Sequence, residues 1–290
     1  MSELVKLVMT TFTDPMMGLS YECEPVFRKL ETHFPGMLEF RYVMAGLVRD
    51  VHALLDPDDL RCGEDFAIRN YNRRLARIYE SEEDISGMPV NMADFHLFST
   101  EHISSLPLNL AYKAAQLACP EKADLYLYNL RYATIVDCKP TTHWAELLEV
   151  ARSTGIDAKT FAGHYTDGSA QKALEGDLAH CRKLGIRTLP AYMLAYGDNS
   201  MVVQQLIGYN AFAELISELS EGLLQPRSVT PSLESIRQFI AAHPLISPIE
   251  LFEAYDFASA DDVVPFLKPL LDAGCIALRH VPHGVFITKI

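Results

Sequence analysis

The sequence predicts an α/β protein that opens β-α-β, runs through a large all-helical insertion, returns β-β-α, and ends in a separate small unit. Three observations predict it. Apolar runs at 4–9 and 38–48 flank a turn and an amphipathic stretch at 26–34, the pattern of two strands joined through a helix. From about 56 to 183 apolar residues recur three and four apart, punctuated by Pro107, Pro120, Pro140 and Gly155. After Gly185 the period changes again: Pro190 opens an apolar run, and a Gly-Asp-Asn-Ser turn separates it from another.

Taken in order, a first strand over 4–11 is apolar enough to be buried on both faces. Asp14-Pro15 makes a tight turn, and a helix begins near 17–20. Pro25 lies inside that helix, where it removes a donor and crowds the preceding turn, so a kink is expected there. A second strand parallel to the first follows over 38–48. Helical stripes then run around Phe66, over 108–118, 125–135, 144–151 and 170–184, with Thr142 and Asp157 as candidate caps. Strands over 190–196 and 201–207 and a helix over 212–223 close this part. The stretch Gln225-Pro-Arg-Ser-Val-Thr-Pro231 reads as a linker. Beyond it come three helical stripes and two short strands around Pro282-His-Gly284.

Composition narrows the function classes. The chain has 290 residues, 49% of them hydrophobic and 22% charged, with a net charge of −13. Phosphate and anionic-lipid contacts need clustered Lys and Arg, so neither a nucleic acid nor a membrane surface is the expected partner. Nothing at 1–10 has signal-peptide grammar and no apolar run approaches the ~20 residues of a membrane span, so the expected compartment is the cytoplasm. The six cysteines, Cys23, Cys62, Cys119, Cys138, Cys181 and Cys275, form no C-x-x-C pair. The ten histidines show no ligand spacing, and no metal is expected.

The phrase Asp14-Pro15-Met16-x-Gly18-x-x-Tyr21 followed by Pro25, together with Gly185-Ile-Arg-x-Leu189-Pro190, resembles the active-site region and cis-proline loop of the DsbA-like (FrnE-type) branch of the thioredoxin superfamily. The resemblance spans about 4–223. It implies a thioredoxin-like fold over 1–55 and 184–224, a helical insertion domain over 56–183, and thiol–disulfide oxidoreductase or isomerase chemistry. It also places the family's C-x-x-C pair on Met17 and Ser20. Neither residue can act as the thiolate that exchange requires. The frame of a redox site is therefore expected without its nucleophiles, a degenerate site that binds a peptide or thiol ligand instead. Cys23 stands as either a displaced nucleophile or a packed thiol. Asp14, Pro15, Gly18, Tyr21, Leu189 and Pro190 are the candidate ligand-binding residues, with Leu189 offering its backbone to an added strand. Kappa-class glutathione transferases and chromene-carboxylate isomerases are similar in their helical insertion. That likeness implies the alternative of a glutathione-dependent isomerase; otherwise no cofactor is expected.

The unit over 230–290 resembles a winged helix. It carries four basic and seven acidic residues, a net of −3. A protein contact, such as a homodimer interface, is expected of it rather than DNA binding; this is the second alternative, a regulatory interaction module.

Overall fold

The computed structural model describes residues 5–290. Leu4, where the first strand was expected to begin, lies outside the described residues. The strand itself, β1 (Leu7–Thr13), is buried along nearly its whole length. It continues two residues past the expected end because Phe12 and Thr13 still have ladder partners in the next strand. Two helices follow, α1 (Gly18–Glu22) and α2 (Glu24–His33), broken at Cys23. Pro25 explains the break: it has no N–H to offer the carbonyl of Tyr21, which accepts instead from the Cys23 N–H. The chain then enters β2 (Leu38–Met44), parallel to β1 with Leu7 opposite Leu38 and Thr13 opposite Met44. This strand stops four residues before the expected end, since the N–H groups of Gly46, Leu47 and Val48 donate to the side chains of Asn109, Asp14 and Ser105.

The helical block comprises α3 (Pro57–Leu60), α4 (Glu64–Ser86), α5 (Leu106–Ala118), α6 (Ala123–Ile135), α7 (Trp144–Ser153), α8 (Ala158–Thr166) and α9 (Ser169–Leu184). Each of the expected stripes lies on one of them. Asp157 caps α8, accepting from the Thr160 N–H at 2.8 Å. Thr142 does not cap α7: its hydroxyl donates to the Leu97 carbonyl at 2.6 Å, and His143 takes the cap position. Between α4 and α5 the chain crosses 87–105 without regular structure. That segment is held by burial of Met88, Val90, Phe95, Leu97 and Phe98, and by the Asn72 amide, which bonds both the N–H and the carbonyl of Phe98.

After α9 come β3 (Ala191–Tyr196), β4 (Asn199–Val203) and α10 (Tyr209–Leu219). β3 runs antiparallel to β1, with Phe12 opposite Ala191, and β4 antiparallel to β3. The sheet order is β2-β1-β3-β4. One core, including Leu7, Phe27, Leu30, Tyr192 and Phe212, fills the space under α2 and α10. A larger one, which includes Met16 and Tyr21, runs through the helical block.

The C-terminal unit contains α11 (Leu233–Ala242), β5 (Leu245–Ile246), α12 (Pro248–Ala254), α13 (Val263–Phe266), α14 (Lys268–Asp272), β6 (Ile276–Val281) and β7 (Gly284–Lys289). The third expected helix is broken into short pieces, which fits Pro265 and Pro269 standing in its path. Its strands form a sheet of order β5-β7-β6 over a core of its own. It is nevertheless docked on the rest. Phe286 leaves that core to meet Tyr132 edge-on, at 4.8 Å between centroids. Arg28 of α2 reaches Glu250 of α12 at 3.1 Å, and Thr32 donates to the Ala254 carbonyl at 2.6 Å. No helix among the described residues is long and apolar enough to cross a membrane.

Candidate functional site

The turn between β1 and α1 is built on Asp14. Its carboxylate is fully buried and accepts from the Met16 N–H at 3.1 Å, the Leu47 N–H at 2.7 Å, the Ser105 hydroxyl at 2.7 Å and the Asn109 amide at 2.8 Å. Burial raises its pKa, and those four donors work against the rise. Asp14 thus ties the turn to the loop after β2 and to α5. Pro15, next to it, is buried too.

Met17 is the residue from which α1 starts and is 6% exposed. Its thioether offers no proton. Ser20 lies inside α1, and its buried hydroxyl accepts from Thr13 at 2.7 Å. The Cys23 thiol is buried within 3.2 Å of the Tyr192 hydroxyl. Burial pushes it up to about 12, so almost none of it is thiolate at neutral pH.

Helix α4 crosses directly over this start. A Cβ on Gly18 would lie 1.9 Å from Glu82 Oε2 and 2.6 Å from the Tyr79 ring, so the crossing requires glycine. Tyr79 also donates its hydroxyl to the Met16 carbonyl. Tyr21 donates to the Pro89 carbonyl at 2.9 Å and anchors the irregular segment. Two acids are trapped in this contact. Glu22 accepts from the Ser86 hydroxyl on one oxygen, while the other is buried without a partner. Burial pushes Glu22 up to about 8, with Glu82 adding to the rise. Burial likewise pushes Glu82 to about 7, and its Oε2 also lacks a partner.

The Leu189–Pro190 bond is cis, and Pro190 is buried just before β3. Leu189 is half-buried and packs on the small cluster of Phe12, Cys181 and Ala191. Gln204 latches this loop: its side chain accepts from the Arg187 N–H at 2.8 Å and donates to the Gly185 carbonyl at 3.1 Å.

Sequence reasoning missed the polar chain behind the site. Arg131 of α6, 1% exposed, donates to Thr13 at 3.0 Å and to Glu24 at 2.7 Å. Glu24 also meets Arg28, and Arg28 meets Glu250, whose other oxygen accepts from Tyr128 at 2.6 Å. The site is thereby wired to the C-terminal unit. A lone arginine among Leu130, Tyr132 and Ala133 was the one available signal, because a charge on an apolar helix needs a buried partner. No group of three His, Cys, Asp or Glu that could hold a metal occurs among the described residues.

A family model described as thioredoxin matches residues 10–213. The chain belongs to the thioredoxin family. Its fold is of the α/β class, with a thioredoxin-like arrangement. Similar in fold are a Nitrosomonas europaea protein described as a candidate protein disulfide isomerase, at TM-score 0.61 and 16% identity over 75% of this chain and 99% of that one, and the cytosolic disulfide reductase DsbM of Pseudomonas aeruginosa, at TM-score 0.52 and 18% identity over 73% and 99%. Among curated relatives, the ClpXP adapter protein SpxH of Bacillus subtilis is 24% identical over 278 residues, 95% of this chain and 86% of the relative. SpxH of Halalkalibacterium halodurans is 23% identical over 281 residues, with the same coverage.

Proposed function

We propose that this thioredoxin-family chain is a non-catalytic adapter, which binds a client protein and presents it to an ATP-dependent protease of the ClpXP type in a reducing cytoplasm. One observation carries the reading. The two positions where family chemistry needs thiols hold a thioether and an already bonded, buried hydroxyl, beside a thiol whose ionisation burial suppresses. Disulfide exchange passes through a mixed disulfide, so it has no attacking sulfur here. A glutathione-dependent isomerase would need a free hydroxyl or thiol at the same place. The adapter relatives support the reading further, since their likeness extends over nearly the whole chain, past the end of the thioredoxin match at 213. Residues 230–290, winged-helix-like in sequence, then serve as a protein-contact unit whose acidic balance disfavours nucleic acid.

The test has two halves. Proteins captured by the purified chain are added to ClpXP and ATP, and the chain is expected to speed degradation of the captured client several-fold. In an insulin-reduction assay the natural chain is expected to stay at background, while the double variant Met17→Cys, Ser20→Cys gains measurable turnover. Insulin reduction that Cys23→Ala abolishes, or client degradation indifferent to the chain, would overturn the reading.

A further inference from the structure

On the flank of α1 and α2, away from the Asp14 turn, lies a groove of about 650 Å³. Its walls are Glu22 and Val26, the last turn of α4 at Ile85 and Ser86, and the loop before α10 at Leu206, with Glu253 of α12 at its edge. Two features mark it as built for a ligand. Its apolar rims face water, Ile85 being 47% and Leu206 38% exposed. And Glu22, only 2% exposed, is among the residues that line it, and one of its carboxyl oxygens is buried with no protein partner.

The charge around it is one-sided. Helix α4 ends on Glu80, Glu82, Glu83 and Asp84 with no basic residue in its last turn. That end of a helix carries partial negative charge and favours a cation. Among the described residues the one cation lining the groove, Lys29, is already committed: its ammonium lies 2.8 Å from Asp256, 3.2 Å from Glu253 and 5.0 Å from the Tyr209 ring. A second copy of a chain of net charge −13 would bring mostly the wrong sign.

We propose that this groove docks a partner segment in which a lysine or arginine is flanked by apolar residues. The cation meets Glu22, and the apolar side chains rest on Ile85 and Leu206. The adapter reading supplies the expectation that the occupant is a protein. A desolvated carboxylate bonded to an incoming cation is a strong contact, and its loss typically costs about tenfold in affinity or more.

The probe is a fluorescein-labelled peptide, Ser-Gly-Leu-Arg-Leu-Gly-Ser, with forms carrying Lys or Gln in place of Arg, titrated by fluorescence anisotropy. At pH 9, above the value of about 8 to which burial pushes Glu22, the Arg and Lys forms are expected to bind about tenfold more tightly than the Gln form. Glu22→Gln, which keeps the volume of the side chain, is expected to erase that difference. Leu206→Ser changes only a surface residue and is expected to weaken all three peptides. Equal binding of the Arg and Gln forms, or affinities indifferent to Glu22→Gln and Leu206→Ser, would overturn the proposal. So would a stable dimer that Leu206→Ser dissociates, because the groove would then belong to a second copy. If no peptide binds while the chain still speeds client degradation, the groove assignment fails and the adapter reading stands. If the peptides bind in the expected order but no degradation is stimulated, the groove stands and the adapter reading fails.

Discussion

Two buried acids eight residues apart have opposite fates. Asp14 sits at the turn before α1 with four donors on its carboxylate. Glu22 ends α1 with a single donor on one oxygen and nothing on the other. Both lost their water to packing, yet only one was repaid with hydrogen bonds. Asp14 is therefore an architectural residue: it holds the turn between β1 and α1 in shape. Glu22 and its neighbour Glu82 are destabilising as they stand, and a fold tolerates such groups where something else is to be bound. The position that the family resemblance marks as the active centre is closed. Two carboxyl oxygens without a protein partner, one on Glu22 and one on Glu82, lie on the flank beside it.

The sharpest way to break this contrast is Asp14→Ala. It strands four buried donors, each worth about 1 kcal/mol or more, and is expected to cost about 4 kcal/mol in urea unfolding. A loss below about 1 kcal/mol would mean that those donors find water, and that Asp14 is no anchor. Glu250→Ala makes the same test at the far end of the polar chain. It orphans the Tyr128 hydroxyl and the Ser247 N–H and removes a partner of Arg28, for an expected cost of about 3 kcal/mol, with faster proteolysis after residue 225. An unchanged cleavage pattern would detach the C-terminal unit from the network.

Gly18→Ala probes the crossing of α4. Overpacking of this kind costs about 1–3 kcal/mol, and the upper end is expected because the buried Tyr79 ring, 2.6 Å from the new Cβ, cannot swing aside as the end of Glu82 can. A neutral result would show that α4 lifts away readily. The smallest effect is expected of Glu22→Gln. The folded chain holds the Glu22 proton up to about pH 8, against an ordinary value of 4.5. Its contribution is therefore fully present below pH 4.5 and is lost as pH rises from there through about 8. Glutamine mimics the protonated form, so the variant is expected to melt about 2 °C higher than the natural chain at pH 8, and at the same temperature near pH 4.5. A variant less stable at pH 8 would mean that Glu22 has a partner in the free protein.

Much of the frame was legible in the residues. Apolar runs placed the strands to within a few residues, although the one expected over 201–207 lies at Asn199–Val203, and the period of 3.6 placed nearly every helix, because which face is buried shows directly in the spacing of apolar side chains. The Asp14-Pro15 turn and the break at Pro25 were legible for the same local reason, whereas their reading as a site came from the family resemblance. Less was legible where the cause is distant. Thr142 has the residue type and place of a cap, but its hydroxyl is taken by the Leu97 carbonyl, 45 positions away in the chain. The third C-terminal stripe looked like one helix, although its two prolines were in plain view. The segment over 87–105 has no period, since its order comes from contacts with α4, α6 and β7 rather than with itself.

What the sequence by itself determined is the order of the elements, the absence of any C-x-x-C pair and the acidic balance, all of them consequences of local stereochemistry and composition. Only the tertiary structure decided that α4 closes over Gly18, that Arg131 runs from Thr13 to Glu24, and that the C-terminal unit is bonded to α2 through Glu250. It also decided that Glu22 faces a groove with an oxygen to spare. Each of these joins residues dozens to hundreds of positions apart. Whether a buried charge is satisfied depends on what packs beside it, and no local pattern carries that information.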